Sequence, residues 1–241
     1  PQNDDYTLQI ANALWLSQKS KFLDEFLKIG RKQYDAAVET VDFSAAVKQT
    51  CQLINAWVEK HTANKIKDLL NEGDISGAVL VLTNAVYFKG SWLTEFDPKH
   101  TTDAPFTRAD GSKTEVPLMT RTGPIDYAEF PTFQMVALPY TGETLQMIVL
   151  LPKEPTSLPE LERQLDEKHL TEWLTKLGGQ KVALYLPRFK MTARFELKPV
   201  LEKLGMHRAF GEADFSGMTG SLGLFISAVI HQSYVDVNEQ G

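Results

Sequence analysis

Ala78-Val-Leu-Val-Leu-Thr-Asn-Ala-Val-Tyr-Phe-Lys-Gly-Ser-Trp92 is the stretch on which the fold turns. Its first part is a nearly unbroken apolar run rich in β-branched residues, the pattern of a strand buried on both faces. A short apolar run also suits a helix, but Gly77 before it and Lys89-Gly90 after it favour a strand of about ten residues. Asn84 interrupts the run. A buried amide without partners costs roughly 1–3 kcal/mol, so a polar group is expected opposite it.

The surrounding composition is that of an ordinary folded protein. Apolar residues make up 43% and charged residues 23% of 241, which excludes a disordered chain and allows one sizeable core or two small ones. Twenty-five basic residues stand against 31 acidic ones, a formal charge of −6, and no Lys/Arg-rich block stands out. Nucleic acid and membrane surfaces are therefore not expected partners. The apolar runs fall far short of a bilayer span. A single cysteine, Cys51, excludes an internal disulfide and a cysteine-based zinc site. It shares a helical stripe with Val47, Ile54 and Val58, so a buried, inert thiol is expected. The chain starts Pro1-Gln2-Asn3 and stops at Gly241 directly after a strand-like segment, and neither end resembles a natural terminus.

Periodicity places the elements around the opening strand. Residues 6–16 alternate as a mostly buried strand, and Phe22, Leu23, Phe26 and Leu27 mark a helix over 21–34. A short strand is expected at 37–43 and the clearest helix at 45–66. Residues 93–117 are polar, with a hairpin tip at 109–112. Strands at 134–140 and 144–151 flank Thr141-Gly142-Glu143, and Ser157-Leu-Pro-Glu160 has the spacing of a capping box. A strand over 181–189 is broken by Pro187, a helix over 197–204 stops at Gly205, and residues 222–238 form a further long strand. The mixture is one α+β domain over 1–241 with large sheets.

Catalytic signatures are absent. The five histidines, His61, His100, His169, His207 and His231, are scattered, and no HExxH, GxSxG, GxGxxG, P-loop or EF-hand spacing occurs. The expectation is a protein that is not an enzyme and holds no metal or cofactor. A hydrolase assembled from scattered Ser, His and Asp is the remote alternative, which multiple turnover would reveal.

An ordered series of strings carries a family resemblance. Asn84 to Trp92 followed by Phe96 resembles the serpin strand that ends in Phe-Lys-Gly-x-Trp. Ile54-Asn55, Trp57-Val58-Glu59, Thr62 and Lys65-Ile66 are similar to the helix before it, and Leu138-Pro-Tyr-Thr-Gly142 with Met147-Ile-Val-Leu-Leu-Pro152 to the hairpin of the serpin B sheet. Leu186-Pro187-Arg188-Phe189, Leu204-Gly-Met206, Ala213-Asp-Phe-Ser-Gly217, Ile226-Ser-Ala-Val-Ile-His231 and Val235-Asp-Val-Asn-Glu-Gln-Gly241 follow in serpin order.

The resemblance implies a serpin fold of A, B and C sheets with surrounding helices, without its N-terminal helices, reactive-centre loop and C-terminal strands. It implies an inhibitor of serine, or else cysteine, endopeptidases acting as a suicide substrate. The cleaved loop would enter the A sheet between the strands at 78–88 and 224–238, and the inhibitor would supply no catalytic residue. Asn84 and His231 match the shutter, with His231 then the polar partner sought for Asn84. Trp92 and Arg188 match the breach, and Glu239, Gln240 and Gly241 the proximal hinge. The family usually has Lys where Arg188 stands, and the P1–P1′ bond lies outside this chain. Implied partners are the target protease and a strand, from the missing segments or an inserted loop, that completes the sheet. Otherwise the protein is a monomer able to polymerise, in a setting the resemblance makes extracellular while leaving a cytoplasmic one open. A non-inhibitory serpin serving as carrier or chaperone is the alternative.

Overall fold

The computed structural model describes residues 6–241; the opening Pro1-Gln2-Asn3 lies outside them. The helices are α1 (Asp24–Gln33), α2 (Val47–His61), α3 (Glu72–Ile75), α4 (Leu158–Gln164), α5 (Glu167–Leu174), α6 (Lys198–Lys203) and α7 (Ser216–Thr219). The strands are β1 (Tyr6–Ser17), β2 (Ala36–Val41), β3 (Leu80–Gly90), β4 (Thr102–Thr107), β5 (Lys113–Glu129), β6 (Phe133–Pro139), β7 (Gln146–Pro152), β8 (Gly178–Pro187), β9 (Phe189–Glu196) and β10 (Ile230–Val237). This is the α+β class expected. Contacts group the chain into two compact units, one of Leu8–Phe88 with Thr192–Tyr234 and one of Lys89–Met191 with Val235–Gly241.

In the first unit a three-stranded sheet runs in the order β2-β1-β3. β1 and β2 are parallel, so the chain needs a crossover between them, and α1 supplies it. The apolar stripe of α1 packs Phe26 and Leu27 on Leu14, Leu16 and Ala36. It lies so close that a Cβ at Gly30 would sit 2.6 Å from Leu14 Cδ1. On α2 the expected stripe is buried at Cys51, Ile54 and Val58, against Ala13, Trp15 and Phe43. Thr62 ends this helix: its Oγ1 donates to the Val58 carbonyl at 2.9 Å and accepts from the Ile66 N–H at 3.1 Å. Residues Ala63 and Asn64, both at positive φ, then reverse the chain. Cys51 is buried as expected, its thiol donating to the Leu70 carbonyl at 3.1 Å. Burial pushes its pKa up, and nearby acidic residues add to this, the opposite of what a reactive thiolate needs.

The second unit is built on β5, seventeen residues long. It pairs antiparallel with β4 over its first third, with β8 from Leu118 to Tyr127 and with β6 at its end; β7 follows β6. The hairpin at 109–112 forms, with Gly111 at φ +81°, and so does that at 141–143, with Gly142 at φ +82°. One sheet face buries Met119, Val136 and Leu138 with Trp92 and Phe96; the other holds Phe133 and Met135 against Leu161 of α4 and Trp173 of α5.

Four expectations are corrected. The opening strand is not buried on both faces. Thr83 and Ala85 point into the core, whereas Leu82, Asn84, Val86 and Phe88 are exposed, because the described residues cover one side of the sheet only. The long strand at 222–238 is confined to β10, paired with β9 in a separate two-stranded sheet; residues 222–229 are irregular. Ser157 forms no capping box: its hydroxyl donates to the Glu154 carbonyl at 2.7 Å, while Glu160 pairs with Arg163. The sequence at Asn71 instead supports the arrangement, with Asp74 accepting from the Asn71 N–H at 2.8 Å. Finally, the bend at Pro187 is followed by a strand, β9, which the pattern did not show.

Candidate functional site: a tethered turn and a separate amide pair

The last four residues are held by groups from three other segments of the second unit. Trp92 donates its backbone N–H to the Gln240 carbonyl at 2.7 Å and its indole Nε1–H to the Asn238 carbonyl at 2.9 Å. Its ring is 3% exposed and stacks on Tyr140, centroids 4.8 Å apart and planes 12° apart. The Phe96 N–H donates to the Glu239 carbonyl at 2.9 Å. Residues 238–241 close on themselves as a tight turn, with reciprocal backbone bonds between Asn238 and Gly241 of 3.0 and 3.2 Å. Gly241 sits against the backbone of Gly90 and Ser91, where a side chain would have no room.

Glu239 is the buried charge of this arrangement, 6% exposed. Oε1 accepts from the Thr101 hydroxyl at 2.8 Å and from Arg188 Nη1 at 3.2 Å. Arg188 is fixed in turn by its backbone N–H on the Pro117 carbonyl at 2.8 Å, while its guanidinium stays half exposed. Desolvation by itself raises the Glu239 pKa; the Thr101 hydroxyl, a backbone N–H and Arg188 together outweigh it and leave the carboxyl below its usual value. Beside this pair Lys190 and Asp236 form a second one at 3.0 Å, and the two pairs with Phe189 and Asn238 line a cavity of about 420 Å³.

A carboxyl depressed in the folded state stabilises it above its unfolded pKa of about 4.3 and loses that contribution as pH falls through the folded value. The protection of the Phe96 amide against hydrogen exchange is therefore expected to drop as pH falls below about 4. In Glu239→Gln it is expected to be lower at neutral pH and nearly independent of pH. Equal pH dependence in both proteins would remove the carboxylate from the tether.

In the first unit Asn84 and His231 are not brought together, which corrects the expected partnership. The Asn84 amide donates to Asn12 Oδ1 at 2.8 Å across β1 and β3. His231 is exposed and stacks on Phe195 of β9, centroids 6.5 Å and planes 20° apart. The reason is topological: β3 pairs with β1, and β10 pairs with β9. Asn12 was missed although it carries the same mark as Asn84, an amide inside an apolar alternation; Thr101 lies in a polar stretch without period and carried no mark. Among the described residues no three His, Cys, Asp or Glu side chains cluster as metal ligands, and no helix is long and apolar enough to cross a membrane.

The family model described as serpin (serine protease inhibitor) matches residues 2–241, and the chain belongs to the serpin family. Serpin B3 of Homo sapiens is 41% identical over 99% of this chain and 63% of its own length. The leukocyte elastase inhibitor of Xenopus laevis is 38% identical over 98% of this chain and 65% of its own length. A solved loop-inserted structure of a cleaved ovalbumin mutant superposes with a TM-score of 0.94 at 31% identity, covering 99% of this chain and 64% of that one. The chain thus spans a little under two thirds of the length of these relatives.

Proposed function

We propose that this chain is the strand-accepting part of a protease inhibitor that acts as a suicide substrate. One observation carries the reading: among the described residues β3 pairs with β1 alone and β10 with β9 alone, so each presents a second backbone edge with no strand on it. An unpaired edge is a row of unmet N–H and C=O groups and a ready template for another strand. An extended segment laid along these edges after cleavage would gain ladder hydrogen bonds on both sides. Glu239, Gln240 and Gly241 would be the pivot for that segment, tethered by Trp92, Arg188 and Thr101 until insertion begins. The names of relatives such as the leukocyte elastase inhibitor agree with an inhibitory role and with a serine endopeptidase as target. On this reading Asn84 and His231 serve the shutter, where each gains a polar partner as the sheet rearranges, and the protein performs no turnover of its own.

The test is incubation of the whole protein with trypsin-like and chymotrypsin-like serine proteases. A complex that survives SDS, at a stoichiometry near one, is the expected result. Clean cleavage of the inhibitor with the protease left fully active would refute it. In the same protein His231→Ala is expected to lower the melting temperature and raise the yield of polymer on heating; no change in either would remove His231 from the shutter.

A further inference from the structure

A second cavity lies in the first unit, between α2 and the strands β1 and β2. It measures about 370 Å³ and is lined by Leu53, Ala56, Trp57 and Lys60 of α2, Trp15 of β1 and Glu39 of β2. The four α2 residues fall at i, i+3, i+4 and i+7, so one helical stripe forms the whole of one wall. The parallel register sets Glu39 directly beside Trp15 and so fixes the other wall. Trp15 is the buried floor, 1% exposed, with its indole N–H donating to Thr83 Oγ1 at 3.0 Å. Trp57 meets it edge to face at 5.9 Å and is backed by His61 at 4.1 Å, whose Nδ1 lies 2.7 Å from the Trp57 carbonyl. The aromatic wall is thus held in place before anything binds.

Two charges stand on opposite walls of this apolar slot. Lys60 is on the helix side and Glu39 on the strand side, and neither forms an ion pair with any described residue. A planar ring fits the edge-to-face preference of Trp57, the half-buried one of the two tryptophans. A ligand with one cationic and one anionic group would satisfy Glu39 and Lys60 together, where a singly charged one would leave the like charge unmatched. The volume lies at the small end of the range for ligand clefts, enough for one ring with a short polar tail. We propose that this cavity binds a small aromatic zwitterion, an aromatic α-amino acid being the chemical class. The site belongs to the resting chain and requires neither a cleaved loop nor a protease.

The experiment is titration of the whole chain with para-nitro-L-phenylalanine, whose nitro ring quenches tryptophan emission, followed by displacement with L-phenylalanine. Saturable quenching that phenylalanine reverses is expected. Glu39→Gln and Lys60→Gln should each weaken binding about fivefold, the worth of one exposed charge contact. Leu53→Asp should abolish saturation, and because Leu53 is half exposed this change leaves the core intact. Quenching that rises linearly without saturating, or is unchanged in Leu53→Asp, would overturn the site. Equal affinity for analogues lacking either the amino or the carboxylate group would overturn the zwitterion.

Discussion

Replacing Trp92 by alanine is expected to destabilise the second unit by about 3–5 kcal/mol, the usual cost of truncating a fully buried indole. Three losses coincide at this residue: the apolar burial with Met119, Leu138 and Val237, the stack on Tyr140, and the indole N–H to the Asn238 carbonyl. Trp92→Phe separates them. Phenylalanine keeps a ring on Tyr140 but strands the Asn238 carbonyl, and a loss of only about 1–2 kcal/mol is expected. Guanidinium denaturation followed by tyrosine fluorescence and circular dichroism would measure both. A midpoint shift for Trp92→Ala no larger than for Trp92→Phe would show that the ring contributes little beyond its hydrogen bond.

Gly241→Ala is the second large effect, and it is steric. A Cβ at this position would overlap the Gly90 carbonyl oxygen and lie 3.0 Å from its carbon and 3.1 Å from Ser91 Cα. All three are backbone atoms, so no side chain can swing aside and the turn at 238–241 must move instead. The first bond to stretch is that from the Trp92 N–H to the Gln240 carbonyl, now 2.7 Å. Strain of this kind costs about 1–3 kcal/mol, equivalent to a fall of about 5- to 150-fold in the protection of the Trp92 amide against exchange. Unchanged protection of that amide would mean that the close approach is relaxed in solution. On the proposed function the same substitution would loosen the pivot and raise the fraction of protease that escapes.

Much of the fold was legible because period and punctuation agreed. β1, α1, β2, α2 and the 134–152 hairpin have clean alternation or a clean stripe and end at Gly, Pro or polar residues. Residues 222–229 failed because Leu222, Leu224, Phe225 and Ile226 imitate a strand without partners to pair with; apolarity permits a strand, and a neighbour makes one. Asn84 shows the same limit in the site. The residue was conspicuous, yet its partner depends on which strand lies beside β3, a matter of topology that local spacing does not encode. Arg188 and Glu239, fifty-one positions apart, are brought together only by the fold, while Thr101, which completes the carboxylate's shell, had no local signature at all.

The grip of α2 on Leu70 has a mechanical meaning. Asn55 Oδ1 accepts from the Leu70 N–H and Nδ2 donates to the Leu70 carbonyl, both at 2.9 Å, so one amide side chain imitates a neighbouring strand. The Cys51 thiol shares that carbonyl. Helix and following segment are therefore latched: α2 cannot lift from the sheet while residue 70 stays, nor can the segment peel away while the helix stays. A motion that separates α2 from residue 70 must break these bonds first, whereas one that lifts the two together keeps them, so Asn55 decides that the helix and its following segment move as one body.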